Sequence, residues 1–424
     1  MIFYFLFLFF WVHIRLVTSS ITIKITNYYQ VTTHLFIFSF FLQLILTNHI
    51  YYVIDRYETR LIKEITDVIL KELNSKLLLH VSDNMVGMNF HLEKLKSLIN
   101  IESNDVRMIG IYGLGGIGKT TISKVVYNNI FHLFESSIFI ANVRERSQSH
   151  SSQLELQKEL LSGIIRGKNL EINNIHVIRQ RLCSKKVLLI LDDVDKSEQL
   201  EFLAGKHDWF GPGSRIIITT RDQQLLRVHK VNVSYEVKEL DYKESIKLFC
   251  QHAFKQNIPK KDYVSISNGV VRYANGLSLA IKILGSSLFS KSKDEWESTL
   301  QKLKKKPNKQ VQNVLSISLD GLDEIERGIF LDVACFFKGC QKNDVTRLLD
   351  YAKGVIRVLS DKCLITLSHI IGMHDLVQEM GREIVRHDHP QKPWKWSRLW
   401  DPKDICRILR QKKVQSKCIN LVDL

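Results

Sequence analysis

No Cys-x-x-Cys occurs in these 424 residues. Cys335 and Cys340 have neither a matching second pair nor a His-x-x-x-His partner, which argues against a structural zinc site. The seven cysteines are an odd number, and several lie in apolar runs. Buried, reduced thiols in an intracellular compartment are expected, not a disulfide-stapled secreted scaffold. No uninterrupted apolar run reaches the ~20 residues of a spanning helix. "MIFYFLFLFFWV" lacks the basic flank and small-residue cleavage site of a secretory signal. "HLFIFSFFLQLIL" reaches spanning length only by taking in Thr47, Asn48 and His49. Two readings of residues 1–55 stay open: a membrane anchor, and an N-terminus that is not native. Membrane contact is open only through this segment.

Acidic residues are also short: 44 against 60 Lys and Arg, a net charge of +16. Part of the excess lies in "KLKKKPNK" and "RQKKVQSK". No aromatic residue interleaves with these runs, so they read as solvated surface, and no clear nucleic-acid partner follows. Nor does any self-similar period of ~20–29 residues appear. What remains is ordinary globular material, 45% hydrophobic and 25% charged, long enough for two to four domains. Tyr57 to about Leu79 has the apolar spacing of an amphipathic helix.

The stretch "GIYGLGGIGKTT" contains Gly113-x-x-x-x-Gly118-Lys119-Thr120. Glycines such as Gly113, Gly115, Gly116 and Gly118 let backbone N–H groups turn inward around an anion. A following helix adds its positive end. Lys119 would reach the terminal phosphates, and the Thr120 hydroxyl would ligate Mg²⁺. The context fits. "VRMIGIYG" reads as a buried strand, and "KTTISKVVYNNIF" has helical apolar spacing.

From about Met85 to Lys230 strands and helices alternate. "SSIFIANV", "KKVLLILDDVD" and "SRIIITTRD" read as strands, "LELQKELLSGII" and "VIRQRLC" as helices. Near-continuous apolar strands predict a parallel sheet covered on both faces, with ligands at the carboxyl ends of the strands. Asp192 and Asp193 end one such strand. Asp192 would hold Mg²⁺, and Asp193 would orient or deprotonate a water; a polar turn is the plainer alternative. Arg221 ends another strand. It would sense a γ-phosphate, or pair on the surface with Asp222.

These motifs resemble the nucleotide-binding module of plant disease-resistance proteins, the NB-ARC class, in the subgroup with a Toll/interleukin-receptor-like domain. The resemblance covers about Ser82 to Leu424. "GIYGLGGIGKTT", "FIANVRE", "KKVLLILDDVD", "GPGSRIIITTRD", "YEVKELDYKESIKLFCQHAF", "GLSLAIKILGS", "FLDVACFFKG" and "GMHDLVQEMGREIV" appear in the family's order, with "SRLWDPKDI" near the end. The resemblance implies an α/β P-loop NTPase domain, a parallel sheet with helices on both faces, then a helical domain and a winged helix. The implied divisions are 82–232, 233–306 and 307–412, after the apolar segment 1–55 and a helical linker 56–81. Residues 413–424 would begin a repeat region, and a Toll-like domain is expected before residue 60, where apolar text stands.

The resemblance also implies the ligands ADP, ATP and Mg²⁺. The backbone at Val86 and Gly87 would contact adenine. Gly113 to Thr121 would hold the phosphates, so Thr121 joins the set, as does Leu279 of "GLSLA". Thr120 and Asp192 would be the metal ligands, Asp192 and Asp193 the catalytic acids. His374 would contact the β-phosphate of ADP; without the family it reads as a turn residue before an Asp helix cap. Ser278 stands where the family carries proline near the base. It loses a rigid apolar ring, so a weaker nucleotide grip is expected. The function implied is a cytoplasmic ADP/ATP switch in plant immune signalling with slow hydrolysis at most. It would associate with itself or with related receptors on activation. Two alternatives stand beside it: an ATPase driven by turnover, and a non-signalling remnant or adaptor.

Overall fold

The apolar runs become one parallel sheet. Strands β1 (Arg107–Tyr112), β2 (Ser136–Ile140), β3 (Val187–Val194), β4 (Arg215–Thr220) and β5 (Val233–Glu236) lie in the order β2-β3-β4-β1-β5. The computed structural model describes residues 78–81, 85–164, 180, 182–349, 352–387, 389–390 and 392–410. The apolar segment 1–55, most of the helix expected from Tyr57, most of "VIRQRLC", and the tail 413–424 lie outside the described residues. Leu79, the expected end of that helix, is not helical; its N–H and C=O both bond the side chain of Asn128. The elements below belong to one compact unit, Leu77–Leu424.

Side-chain alternation explains why these strands are apolar at nearly every position. Ile109, Ile111, Leu188, Ile190 and Ile217 face one side of the sheet. There they meet helix α1 (Met88–Ile99) through Leu95 and Ile99, and α2 (Lys119–Ile130) through Ile122 and Val126. Met108, Val187, Leu189, Leu191, Ile216 and Ile218 face the other. They are covered by α3 (His150–Ile164), α4 (Ser197–Ala204) and α5 (Gln223–Val228). Each fully buried Leu or Ile contributes roughly 1.5–3 kcal/mol, so both faces must be covered.

The edge strand β5 is absent from the strands expected on sequence. It has only four residues, "VSYE", and none is fully buried, so its apolar signal is weak. It pairs with β1 from Ile109↔Val233 to Tyr112↔Glu236. The expected division at 232/233 falls just before it.

The rest is helical. Helices α6 (Tyr242–Phe254), α7 (Val264–Ala274), α8 (Ser278–Leu288) and α9 (Lys293–Lys305) pack around Phe249 and Trp296, whose ring centroids are 5.7 Å apart. Capping boxes start α6 at Asp241 and α9 at Ser292, each closed by Glu three residues on. Then come α10 (Lys309–Ser316), α11 (Glu324–Asp332), α12 (Lys342–Leu348), α13 (Ala352–Asp361), a small antiparallel pair and α14 (Asp375–His387). The pair is β6 (Thr366–Leu367) with β7 (Ile371–Gly372). "CLITL" therefore yields only two strand residues, and its partner β7 carried no legible signal. This lobe shares the core of the first sheet face: Phe330, Ile356 and Met380 belong to the same cluster as Ile109. The segment containing "SRLWDPKDI" is stapled to the lobe by Arg398, which donates to Asp332 at 2.5 Å and to the Gly328 carbonyl at 2.9 Å.

Candidate functional site

The site lies where β1, β3 and β4 end. Gly113, Gly116 and Gly118 have φ of 151°, 78° and 115°, values that residues with a Cβ rarely adopt. A Cβ on Gly113 would come within 3.0 Å of the Val237 carbonyl, and one on Gly116 within 2.8 Å of Leu279. Lys119 opens α2 and is 7% exposed. Its ammonium donates to the carbonyls of Gly113 at 2.8 Å and Leu114 at 3.0 Å. Burial, reinforced by the nearby Arg221 charge, pulls its pKa down to about 8. Thr121 follows in the first turn of α2.

The acids are presented by an irregularity that sequence did not reveal. Leu191 pairs with Ile218 of β4, but Val194 pairs with Thr220, so β3 carries one extra residue. Asp193 takes φ 58° there. Such bulges re-aim side chains. Asp192 is fully buried and accepts the Thr120 hydroxyl at 2.8 Å and the Thr219 hydroxyl at 2.7 Å. Burial pushes its pKa up, against those hydroxyl bonds. The Thr120 hydroxyl and Asp192 carboxylate together are hard oxygen donors, the set that suits Mg²⁺.

Asp193 differs. Burial alone would raise its pKa, but Arg221 and Arg144 outweigh burial and hold it below the usual carboxylate range. Arg144 Nε lies 2.8 Å and Arg221 Nε 3.4 Å from its oxygens. Arg144 sits on a one-turn helix, Val143–Arg146, after β2. Its motif, "FIANVRE", is legible in the sequence, but the role of Arg144 is not. Nothing local in the chain foretells that it meets Asp193, 49 residues away.

Arg221 is not paired with Asp222. Its Nη1 donates to the Val314 carbonyl of α10 at 2.8 Å and lies against the phosphate loop, since a Cβ on Gly115 would come within 2.6 Å of it. Asp222 instead faces Lys362 at 3.6 Å, and Arg227 pairs with Asp361. The two ends of α5 are thus tied to the C-terminal lobe by crossed charges. A charged cavity of about 390 Å³ separates Arg144, Asp193 and Arg221 from Ile317–Gly321.

His374 ends the short link before α14. Its Nε2–H donates to the Asn275 carbonyl at 2.8 Å, and its Nδ1 accepts the Leu376 N–H at 3.1 Å, which assigns the tautomer. His374 itself, rather than Asp375, thereby caps α14. Burial lowers its pKa, so the neutral ring is favoured. It lines a cavity of about 220 Å³ with Gly113 and Leu114 of the phosphate loop. Two further bonds join the end of α7 to α14: Asn275 to Asp375 at 3.2 Å, and Tyr273 to Glu379 at 2.9 Å.

The structure therefore groups Gly113, Gly115, Gly116, Gly118, Lys119, Thr120, Asp192, Asp193, Arg221 and Leu279 around one loop. Val86 and Gly87 open α1; Gly87 packs against Glu244 of α6, where a Cβ would meet Oε1 at 2.7 Å. Ser278 lies on the loop as well, and its hydroxyl donates to the Ile117 carbonyl at 2.7 Å, a bond proline could not make.

A parallel sheet, a glycine loop between strand and helix, and acids at the end of β3, separated from β1 by β4, define a P-loop NTPase fold, here joined to a winged helix. Residues 89–259 match the NB-ARC domain, and residues 323–389 match the winged-helix domain described as Disease resistance protein Roq1-like. The chain belongs to the NB-ARC family of plant disease-resistance proteins, a nucleotide-binding family. It is 47% identical over 365 residues to Disease resistance protein RUN1 of Vitis rotundifolia, covering 84% of this chain and 27% of that protein. Over 371 residues it is 39% identical to TMV resistance protein N of Nicotiana glutinosa, covering 84% and 32%. The chain thus spans about a quarter to a third of the length of these relatives.

Proposed function

We propose that this chain is an ADP/ATP-binding switch in plant immune signalling, closed with ADP and opened by exchange to ATP. The observation that carries it is the double use of Arg221 and His374. Both border the phosphate loop, and both are hydrogen-bonded across lobes, Arg221 to Val314 and His374 to Asn275. A residue that must choose between a phosphate and another lobe converts ligand identity into conformation, because a ligand shifts an equilibrium only by its differential affinity.

In this reading the N–H groups of the loop, Lys119 and Thr121 bind the phosphates, and Val86 and Gly87 receive adenine. Thr120 and Asp192 would hold Mg²⁺, which would neutralise phosphate charge. Arg221 would leave Val314 for a γ-phosphate. His374 would donate to the β-phosphate of ADP at the expense of its Asn275 bond. Asp193 is a poor base while two guanidiniums hold its pKa low, since a general base works best near the operating pH. Slow hydrolysis that resets the switch follows, which favours a switch over a turnover-driven ATPase. The cytoplasm is the proposed compartment, and association with itself or with related immune receptors on activation is part of the proposal. Among the described residues no helix is long and apolar enough to cross a membrane.

The first test is the nucleotide that co-purifies with the protein. Near-stoichiometric ADP on release by denaturation is expected. An empty site with brisk ATP turnover would replace the switch with an ATPase. His374→Ala should speed ADP release by about tenfold, the weight of roughly one hydrogen bond to a charged group. Stopped-flow displacement of a fluorescent ADP analogue reads this, and an unchanged rate removes His374 from the lock.

Nucleotide affinity should also depend on pH. Phosphate contact raises the pKa of Lys119 above its unliganded value of about 8. Binding then takes up a proton wherever the free lysine is already neutral. Affinity is full below pH 8 and falls as pH rises through and beyond it, approaching about tenfold per unit. Titrations of ADP between pH 7 and pH 10 check this; a flat profile would contradict it.

A further inference from the structure

We propose that Ser278 is a positioning residue for the diphosphate: its hydroxyl clamps the Ile117 carbonyl and so aims the Gly118 N–H into the phosphate loop. The proposal rests on the preceding reading of that loop as the anion site.

Ser278 is 9% exposed and begins α8, on a lobe separate in sequence from the loop by 161 residues. Its hydroxyl donates to the Ile117 carbonyl at 2.7 Å. The next residue adds a second bond, from the Leu279 N–H to the Gly116 carbonyl at 3.0 Å. Two successive carbonyls of the loop are thus drawn toward α8.

There are no cis peptide bonds among the described residues. In a trans peptide the C=O and the following N–H point in opposite directions. Drawing Gly116 O toward α8 turns the Ile117 N–H the other way, and that N–H is found on the Leu114 carbonyl at 3.3 Å. Drawing Ile117 O toward α8 turns the Gly118 N–H to the far side in the same manner. Gly116 and Gly118 adopt φ of 78° and 115°, and glycine peptide planes rotate at little cost unless something holds them. Ser278 supplies that hold. An anion site works when its donors are oriented before the ligand arrives. Ser278 also faces Gly118 directly: a Cβ there would lie in ordinary van der Waals contact with the Ser278 hydroxyl, at 3.5 Å.

Two different roles for position 278 can be told apart. A residue acting on the base changes affinity only for ligands that carry a base. A residue acting on the loop changes affinity for phosphates alone. Inorganic pyrophosphate is therefore the probe, used beside ADP in titrations of the full chain. Ser278→Ala should weaken both ligands by the same factor, roughly fivefold, the weight of one neutral hydrogen bond. Ser278→Thr keeps the hydroxyl and should bind both as the parent does. Ser278→Pro should lose pyrophosphate affinity like the alanine variant, whatever its ring does for the base.

Weakened ADP with unchanged pyrophosphate in Ser278→Ala would overturn the proposal, as would a threonine variant as weak as the alanine one. Unchanged binding of both ligands by Ser278→Ala overturns it too. In that case loss of both ligands in Lys119→Ala leaves the reading of the loop standing. If Lys119→Ala retains both ligands, that reading fails and takes this proposal with it.

Discussion

Lys119→Ala should lose about ten- to a hundredfold in affinity for ADP and ATP while the protein stays folded. A charge-assisted hydrogen bond contributes about 1.5–3 kcal/mol, and about 1.4 kcal/mol is a factor of ten. Lys119 is the only lysine in the loop motif, and the surrounding apolar residues amplify its charge. Folding should survive because the substitution has opposed effects on stability. It leaves the carbonyls of Gly113 and Leu114 without that donor, but it also removes an ammonium whose burial already depresses its pKa. Calorimetric titration with ADP reads the affinity, and circular dichroism reads the fold. Retained affinity in a folded variant would mean that the phosphates are held elsewhere.

Arg215→Ala should produce the largest loss of stability, about 3–5 kcal/mol. Arg215 starts β4 and is fully buried. Its Nε donates to the Ile99 carbonyl at 2.6 Å, its Nη1 to Asp105 at 2.6 Å and Ser214 at 2.8 Å, its Nη2 to Ser103 at 2.7 Å and also to Asn100. Asp105 adds a carboxylate at 3.4 Å. One guanidinium thus gathers the last carbonyl of α1, the turn after it and the loop before β1. A positive group at a helix C-terminus also interacts favourably with the negative end of the helix dipole.

Alanine would strand these carbonyls and open a cavity beneath them. Against a typical total of ~5–15 kcal/mol, that is a large fraction. Arg215→Lys should recover only part, since one ammonium cannot replace a planar fork of donors. Urea unfolding midpoints test this. A midpoint for Arg215→Ala within about 1 kcal/mol of the parent would show that the contacts are incidental.

Arg215 also shows where sequence reasoning stopped. In "GPGSRIIITTRD" it reads as the polar start of a strand. Its burial depends on α1 and the loop that follows, more than 100 residues earlier. Arg144 was illegible for the same reason, because its partner Asp193 arrives from another strand. The bulge that turns Asp193 outward leaves no mark either: "VLLILDDV" reads as an unbroken strand, and the extra residue exists only relative to β4. β5 was missed because four half-exposed residues at a sheet edge carry too little apolar periodicity.

By itself the sequence determined the parallel sheet, the phosphate loop and the strand ends that carry the acids and Arg221. Those features are local. Apolar strand runs, glycine spacing and the switch to helical periodicity at Lys119 each follow from neighbouring residues and backbone sterics. Only the tertiary structure decided which lobe each polar group serves. Arg221 reaches Val314, His374 reaches Asn275, and Ser278 takes hold of Ile117, across 93, 99 and 161 residues of chain. Long-range hydrogen bonds require that packing first bring the lobes together, and no local pattern encodes the partner.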